Sequence, residues 1–158
     1  MELIIHLYKL LYYLNIKPTN MKKKFFVTCL WMLLFFISQA QQKDYKVVFD
    51  LTSKDTLAHQ TAIRQMGLIA RTNPDAKVEL VIFGQAIGMV VADKSVVKDD
   101  LLKLLELKNV SVNVCEITMQ RGKIEKAQLI PGVGTVADGI YEIISKQREG
   151  WGYIKVAQ

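Results

Sequence analysis

The sequence predicts an α/β fold of three layers, in which helices cover a mostly parallel sheet of five strands. Apolar, β-branched runs of strand length recur from residue 45 onward, and amphipathic stretches with helical spacing separate them. This alternation favours parallel pairing with right-handed crossovers, which places helices on both faces of the sheet.

The first strand is predicted at YKVVFDLT, residues 45–52, which is rich in β-branched residues. The helix that follows lies within KDTLAHQTAIRQMGLIART, where Asp55 is a suitable N-cap and NPDA ends the helix. Its apolar stripe is formed by residues at helical spacing, namely Ala62, Met66, Ile69 and Ala70.

The second and third strands are predicted at AKVELVIFG, residues 76–84, and at VSVNVC, residues 110–115. Between them lie a short segment, QAIGMVVADKS, and an amphipathic helix in VVKDDLLKLLEL, with leucines at 101, 104 and 105. A polar stretch without a clear period follows the third strand. It leads to LIPGVGTV, where proline and glycine mark a loop into a short fourth strand.

The last helix is predicted in ADGIYEIISKQREG, which ends at Gly150, and the last strand in WGYIKVA. Trp151 and Tyr153 share a face of that strand, which favours packing or an interface. The predicted apolar face of the helix holds Ile140, Ile143, Ile144 and Gln147.

The segment MKKKFFVTCLWMLLFFISQAQQ is organised like a signal peptide, with lysines, an apolar core and small residues before Gln41. The core is shorter than the roughly 20 residues of a spanning helix, so we expect cleavage before Gln41, with an uncleaved anchor as the alternative. We therefore expect an upstream mis-start or disordered extension at 1–20, a signal peptide at 21–40 and a single α/β domain at 41–158. These expectations predict a periplasmic or secreted protein without stable membrane insertion after cleavage.

Several classes of function lack support in the sequence. The net charge of +6 comes largely from lysines in residues 1–40, so no basic face for nucleic acid is predicted. One cysteine and one histidine remain after the leader, which is too few for a metal site. The glycines match no phosphate-binding fingerprint, so no nucleotide cofactor is expected.

Cys115 is the candidate for chemistry, because it ends a strand at the sheet edge where ligands of parallel α/β folds bind. Without the leader it has no cysteine partner in the chain for a disulfide. A helical turn after Cys115, together with Arg121 and Lys123, would favour the thiolate, and the backbone should contribute more than these solvated cations. The alternative is a buried cysteine that acts as a small hydrophobic residue, and the spacing alone favours neither.

Two other positions are expected at the same edge. Gly84 follows the second strand directly, and His59 lies near the start of the first helix. Because His59 is close to the apolar stripe, a partly buried helix residue is favoured there over a general base.

The chain resembles the DsrE family (DsrE/DsrF-like proteins), in particular its small exported branch. The resemblance rests on KVVFDLT, VIFG, VNVCEITM, LIPGVGTVADGI and KQREGWGYIKV. It implies a parallel five-stranded DsrEFH-like sandwich that assembles as homo-trimers or homo-hexamers. Thr118 and Met119 keep the family pattern, whereas Ile117 stands where the family often has asparagine.

Cytoplasmic relatives pass persulfide sulfur between cysteines, so the resemblance implies that Cys115 is a sulfur carrier. The expected function is therefore an exported sulfur carrier or sulfurtransferase-like protein that uses no cofactor and exchanges sulfur with a donor or acceptor protein. The alternative is a non-enzymatic binding or assembly module, for a small ligand or a protein, with a structural cysteine.

Overall fold

The computed structural model describes residues 45–156, so the signal peptide expected at 21–40 and the segment 1–20 lie outside the described residues. Within them, five strands form one sheet in the order β4-β3-β2-β1-β5, and every neighbouring pair is parallel. The predicted fold class is confirmed. The strands are β1 (Lys46–Leu51), β2 (Lys77–Ile82), β3 (Val110–Cys115), β4 (Gly134–Val136) and β5 (Gly152–Lys155).

Helices connect consecutive strands. They are α1 (Thr56–Thr72), α2 (Lys98–Leu105), α3 (Glu116–Gly122) and α4 (Gly139–Arg148), with 3-10 helices at Gly84–Met89 and Lys126–Gln128. None of the helices in residues 45–156 is long and apolar enough to span a membrane.

Helix α1 begins as the sequence predicts, because the Asp55 side chain accepts a hydrogen bond from the Leu57 N–H at 3.0 Å. Such an N-cap satisfies one of the backbone donors that the first turn leaves without a partner. The predicted stripe faces the core: Ala62, Met66 and Ala70 are buried.

The two faces of the sheet are covered unequally. Side chains such as Phe49 and Leu51 pack with α1, α2 and α3 in one large apolar cluster. The alternate residues face α4, where the buried apolar cluster holds Val48, Val81 and Ile143. The apolar core is therefore smaller on the face of the sheet that α4 covers.

Of the three isoleucines on the predicted apolar face of α4, only Ile143 is buried. Ile140 is 57% exposed, and Ile144 is exposed as well. The sheet beneath α4 carries charged residues, so the helix binds there partly through an ion pair of 2.9 Å between Lys146 Nζ and Glu79 Oε2. Ile140 and Ile144 therefore do not belong to the face of α4 that packs on the sheet.

Helix α3 occupies the stretch after Cys115 in which the sequence shows no clear period. Only seven residues long, it packs into the core through Met119 and is too short to show an amphipathic pattern. It ends at Lys123, whose φ of 52° is left-handed and whose N–H donates to the carbonyls of Gln120 and Met119.

Candidate functional site

Cys115 lies where the starts of two helices meet. It is the last residue of β3 and the N-cap of α3, with an extended backbone, and it is 5% exposed. The first residue of α4, Gly139, approaches it so closely that a Cβ atom on Gly139 would lie 3.2 Å from Cβ of Cys115. The thiol is therefore surrounded by backbone N–H groups that helix geometry leaves without a partner.

The N-cap of α4 explains why the N–H of Gly139 is available. The Asp138 carboxylate accepts from the N–H groups of Ile140, at 2.8 Å, and Tyr141, at 3.3 Å. The N–H of Gly139 is left for Cys115. A larger residue would also press on Val81 and Phe83, at 3.2 and 3.4 Å, so glycine allows α4 to sit directly over the thiol.

Opposing effects act on the pKa of Cys115. Burial raises it, whereas hydrogen bonding to the anion by the backbone of Gly139, by the backbone and hydroxyl of Thr118, and by the backbone of Ile117 lowers it. The net result is a pKa below the ordinary value of a cysteine. The Cys115 side chain makes no capping hydrogen bond to α3 within the usual geometric limits.

Thr118 is held in position by Gly84. The Gly84 N–H donates to Thr118 Oγ1 at 3.1 Å, from a backbone with the left-handed φ of 63° that favours glycine. Since the hydroxyl oxygen accepts this bond, its proton is free to be donated to the Cys115 thiolate. The structure thus brings together three of the residues singled out in the sequence.

The other three residues have different surroundings. His59 is buried, and its Nε2 donates to the Ser53 carbonyl at 2.9 Å within the β1–α1 loop. Met119 is part of the large core cluster. Arg121 is exposed in the last turn of α3 and, like Lys123, is not among the described groups that shift the pKa of Cys115.

Comparison of the sequence with protein families shows which family the chain belongs to. The model of the DsrE/DsrF-like family matches residues 46–156. The chain belongs to the DsrE/DsrF-like family. A comparison with curated proteins finds no match.

Solved structures with the same fold accompany the family match. A protein of unknown function from Methanobacterium thermoautotrophicum is 25% identical with a TM-score of 0.66, over 71% of this chain and 99% of that one. The ychN protein from E. coli is 13% identical, with a TM-score of 0.59 and coverage of 72% and 99%. A conserved protein of unknown function from Bacteroides thetaiotaomicron is 15% identical, with a TM-score of 0.55 and coverage of 74% and 99%.

A second polar cluster of this DsrE/DsrF-like domain lies at the ends of β1 and β5. Lys155 Nζ donates to Asp50 Oδ1 at 2.8 Å and to Thr52 Oγ1 at 2.9 Å, and the Tyr153 hydroxyl donates to Asp50 Oδ2 at 2.8 Å. Burial and the bond to Asp50 raise the pKa of Tyr153 to about 12. Sequence analysis assigned no role to Asp50 or Lys155.

Gly139 is the other site residue that sequence analysis did not single out. Its closeness to Cys115 depends on how α4 packs across the sheet, where it contacts β1, β2 and β5, and residue spacing does not show this. Among residues 45–156, no cluster of histidine, cysteine, aspartate and glutamate could hold a metal ion.

Proposed function

We propose that this DsrE/DsrF-like protein is exported and carries sulfur as a persulfide on Cys115, as a sulfur carrier or sulfurtransferase-like protein. Membership of the family supports sulfur-relay chemistry in general. The observation that carries the specific proposal is the convergence of Gly139 and Thr118 on the thiol, which lowers its pKa. The thiolate is the nucleophilic form of cysteine, so this environment favours attack on sulfur.

The proposed step is a thiol–persulfide exchange. The Cys115 thiolate attacks the outer sulfur of a donor persulfide, a bond forms between Sγ and that sulfur, and the S–S bond of the donor breaks. The donor leaves as a thiolate and takes up a proton from water. The reverse exchange passes the sulfur to an acceptor thiol, so the cycle balances without a redox cofactor.

Incubation of the full chain with a sulfane-sulfur donor tests this step. Mass spectrometry of peptides should show one added sulfur atom on Cys115, and Cys115→Ser should abolish it. Cys29→Ser is the matched control and should leave the modification of Cys115 unchanged. A Cys115 that stays unmodified under native conditions contradicts the proposal.

The alternative is an assembly or binding module with a structural cysteine. The low exposure of Cys115 favours it, as do the exposed apolar side chains of Ile140, Tyr141 and Ile144 on α4. This surface also supports self-association as a homo-trimer or homo-hexamer, which could accompany either function. Native resistance of Cys115 to alkylation would favour the structural role. Light scattering that shows only monomers at micromolar concentration would contradict self-association.

Export is the remaining part of the proposal and rests on the order of lysines, apolar core and small residues in 21–40. N-terminal sequencing of the protein from its native host should begin at Gln41. A product that retains residues 21–40 would contradict cleavage.

A further inference from the structure

The side chains of Cys115, Phe83 and Lys155 line one edge of the sheet. Leu51 pairs with Ile82, which pairs with Val114, so the next residues along these strands are Thr52, Phe83 and Cys115. Two strand spacings of about 4.8 Å place Thr52 about 10 Å from Cys115. Lys155 Nζ donates to Thr52 Oγ1 at 2.9 Å, so the ammonium and the thiol lie at the ends of strands two positions apart, about 10 Å by backbone spacing.

Phe83 fills the space between the two polar groups. Lys155 Nζ lies 5.7 Å from the centroid of the Phe83 ring, within the range of a cation–π contact. On the side of Cys115, Cδ1 of Phe83 lies 3.4 Å from the position of a Cβ atom on Gly139. The half-buried ring is thus an apolar platform with a thiolate at one end and an ammonium at the other.

A ligand on this platform would meet the ammonium and not its carboxylate partner. Asp50 is 6% exposed, and its two oxygens accept from Tyr153 and Lys155. The Lys155 side chain is 46% exposed. Two of its three N–H bonds are used by Asp50 and Thr52, and the third has no partner among the described residues.

We propose that Lys155 determines donor specificity by binding the carboxylate of a low-molecular-weight persulfide whose outer sulfur is transferred to Cys115. The inference rests on the proposed function and adds the class of donor. Contacts of about 3 Å at each end leave roughly 4 Å of a gap of about 10 Å to be spanned by the donor, measured from its outer sulfur to a carboxylate oxygen. A carboxylate a few bonds away from the persulfide, as in a cysteine persulfide or a short cysteine-containing peptide persulfide, reaches across this gap.

The transfer is the exchange described above. The bond between Sγ of Cys115 and the outer sulfur forms as the S–S bond of the donor breaks. The peptide thiolate leaves and is protonated by water. Lys155 exchanges no proton and forms no covalent bond, so its contribution is to hold the carboxylate end of the donor while Phe83 contacts the chain between.

Glutathione persulfide and its diethyl ester form a matched pair of donors, because the ester keeps the persulfide and the peptide but replaces both carboxylates with neutral ethyl esters. The rate of persulfide formation on Cys115 of the full chain should be about fivefold higher with the free acid at low salt, the effect of one partly exposed ion pair. High salt should reduce this preference, because ions screen exposed charges.

Variants locate the preference at Lys155. Lys155→Gln should make the two rates equal, and Lys155→Arg should keep the preference. Tyr153→Phe removes a neighbouring hydrogen bond to Asp50 but keeps the cation, so it should also keep the preference. Comparing the two donors cancels any change in the reactivity of Cys115 itself.

The outcomes separate this inference from the proposed function. Equal rates with the two donors on the unaltered protein at low salt overturn the inference and leave the persulfide function intact. A preference that survives in Lys155→Gln also overturns it. A Cys115 that reacts with neither donor overturns the proposed function and this inference with it.

Discussion

Replacing Gly139 with alanine tests how the start of α4 controls the thiol. The new Cβ atom would lie 3.2 Å from Cβ of Cys115, 3.2 Å from Cγ1 of Val81 and 3.4 Å from Cδ1 of Phe83. Cys115 and Val81 are buried strand residues that cannot move aside easily, so α4 must shift outward by a few tenths of an ångström. The shift moves the Gly139 N–H away from the sulfur.

Two opposing terms set the effect on stability. Overpacking of this kind costs about 1–3 kcal/mol. Alanine is favoured over glycine within a helix by up to about 1 kcal/mol, and the gain is smaller at the first position. We expect a net loss of about 1 kcal/mol, or a decrease in melting temperature of about 4 °C for a domain of this size.

The effect on Cys115 has a definite sign. Loss of the Gly139 N–H removes one of the interactions that lower the pKa of the thiol, so the pKa of Cys115 should rise. The rate of alkylation of the native protein against pH measures the change. Gly88→Ala is the control, because a Cβ atom there would have no neighbour within 4 Å. An unchanged pKa together with unchanged stability in Gly139→Ala would refute the reasoning.

Three further predictions use other contacts. Thr118→Val should raise the pKa of Cys115, because it removes a hydroxyl that stabilises the thiolate, and Thr118→Ser should restore it in the same alkylation assay. The pKa of Tyr153 is raised to about 12, so its contribution to stability is complete below pH about 10 and is lost as the pH rises through about 12. Urea unfolding of Tyr153→Phe should therefore show a smaller loss across that range than the parent; equal losses would contradict it. Lys146→Met should cost about 3 kcal/mol in thermal unfolding, because it leaves the carboxylate of Glu79, 2% exposed, without its ion pair. Adding Glu79→Gln should recover most of that loss, and a single variant as stable as the parent would show that the ion pair contributes little.

The sheet could be predicted from the sequence because burial on both faces leaves long β-branched runs, such as VVFDL and VELVI. The start of α1 could be predicted because its N-cap is local in sequence: the Asp55 carboxylate accepts from the N–H of Leu57, two residues later. The alternation of strands and helices then predicted parallel pairing of the strands, whereas their order in the sheet was seen only in the structure.

Contacts between distant segments could not be predicted in this way. Helix α3 has seven residues and one buried side chain, so no period is visible. The helix pattern of α4 does not show that Lys146 pairs with Glu79 on the sheet or that Ile140 and Ile144 are exposed. Gly139 lies over Cys115 because α4 passes back across the sheet between β4 and β5. The bonds of Lys155 to Asp50 and Thr52 join opposite ends of the described chain.

The central proposal is that Cys115 is a reactive thiolate whose anion is stabilised by the starts of α3 and α4. The pH dependence of Cys115 alkylation in the native full-length protein tests it most directly, with peptide mapping to separate Cys115 from Cys29. We expect a midpoint below the ordinary pKa of a cysteine, and loss of that shift on denaturation. A midpoint at or above the ordinary value, or a thiol that is alkylated only after unfolding, would contradict the claim and favour a structural cysteine.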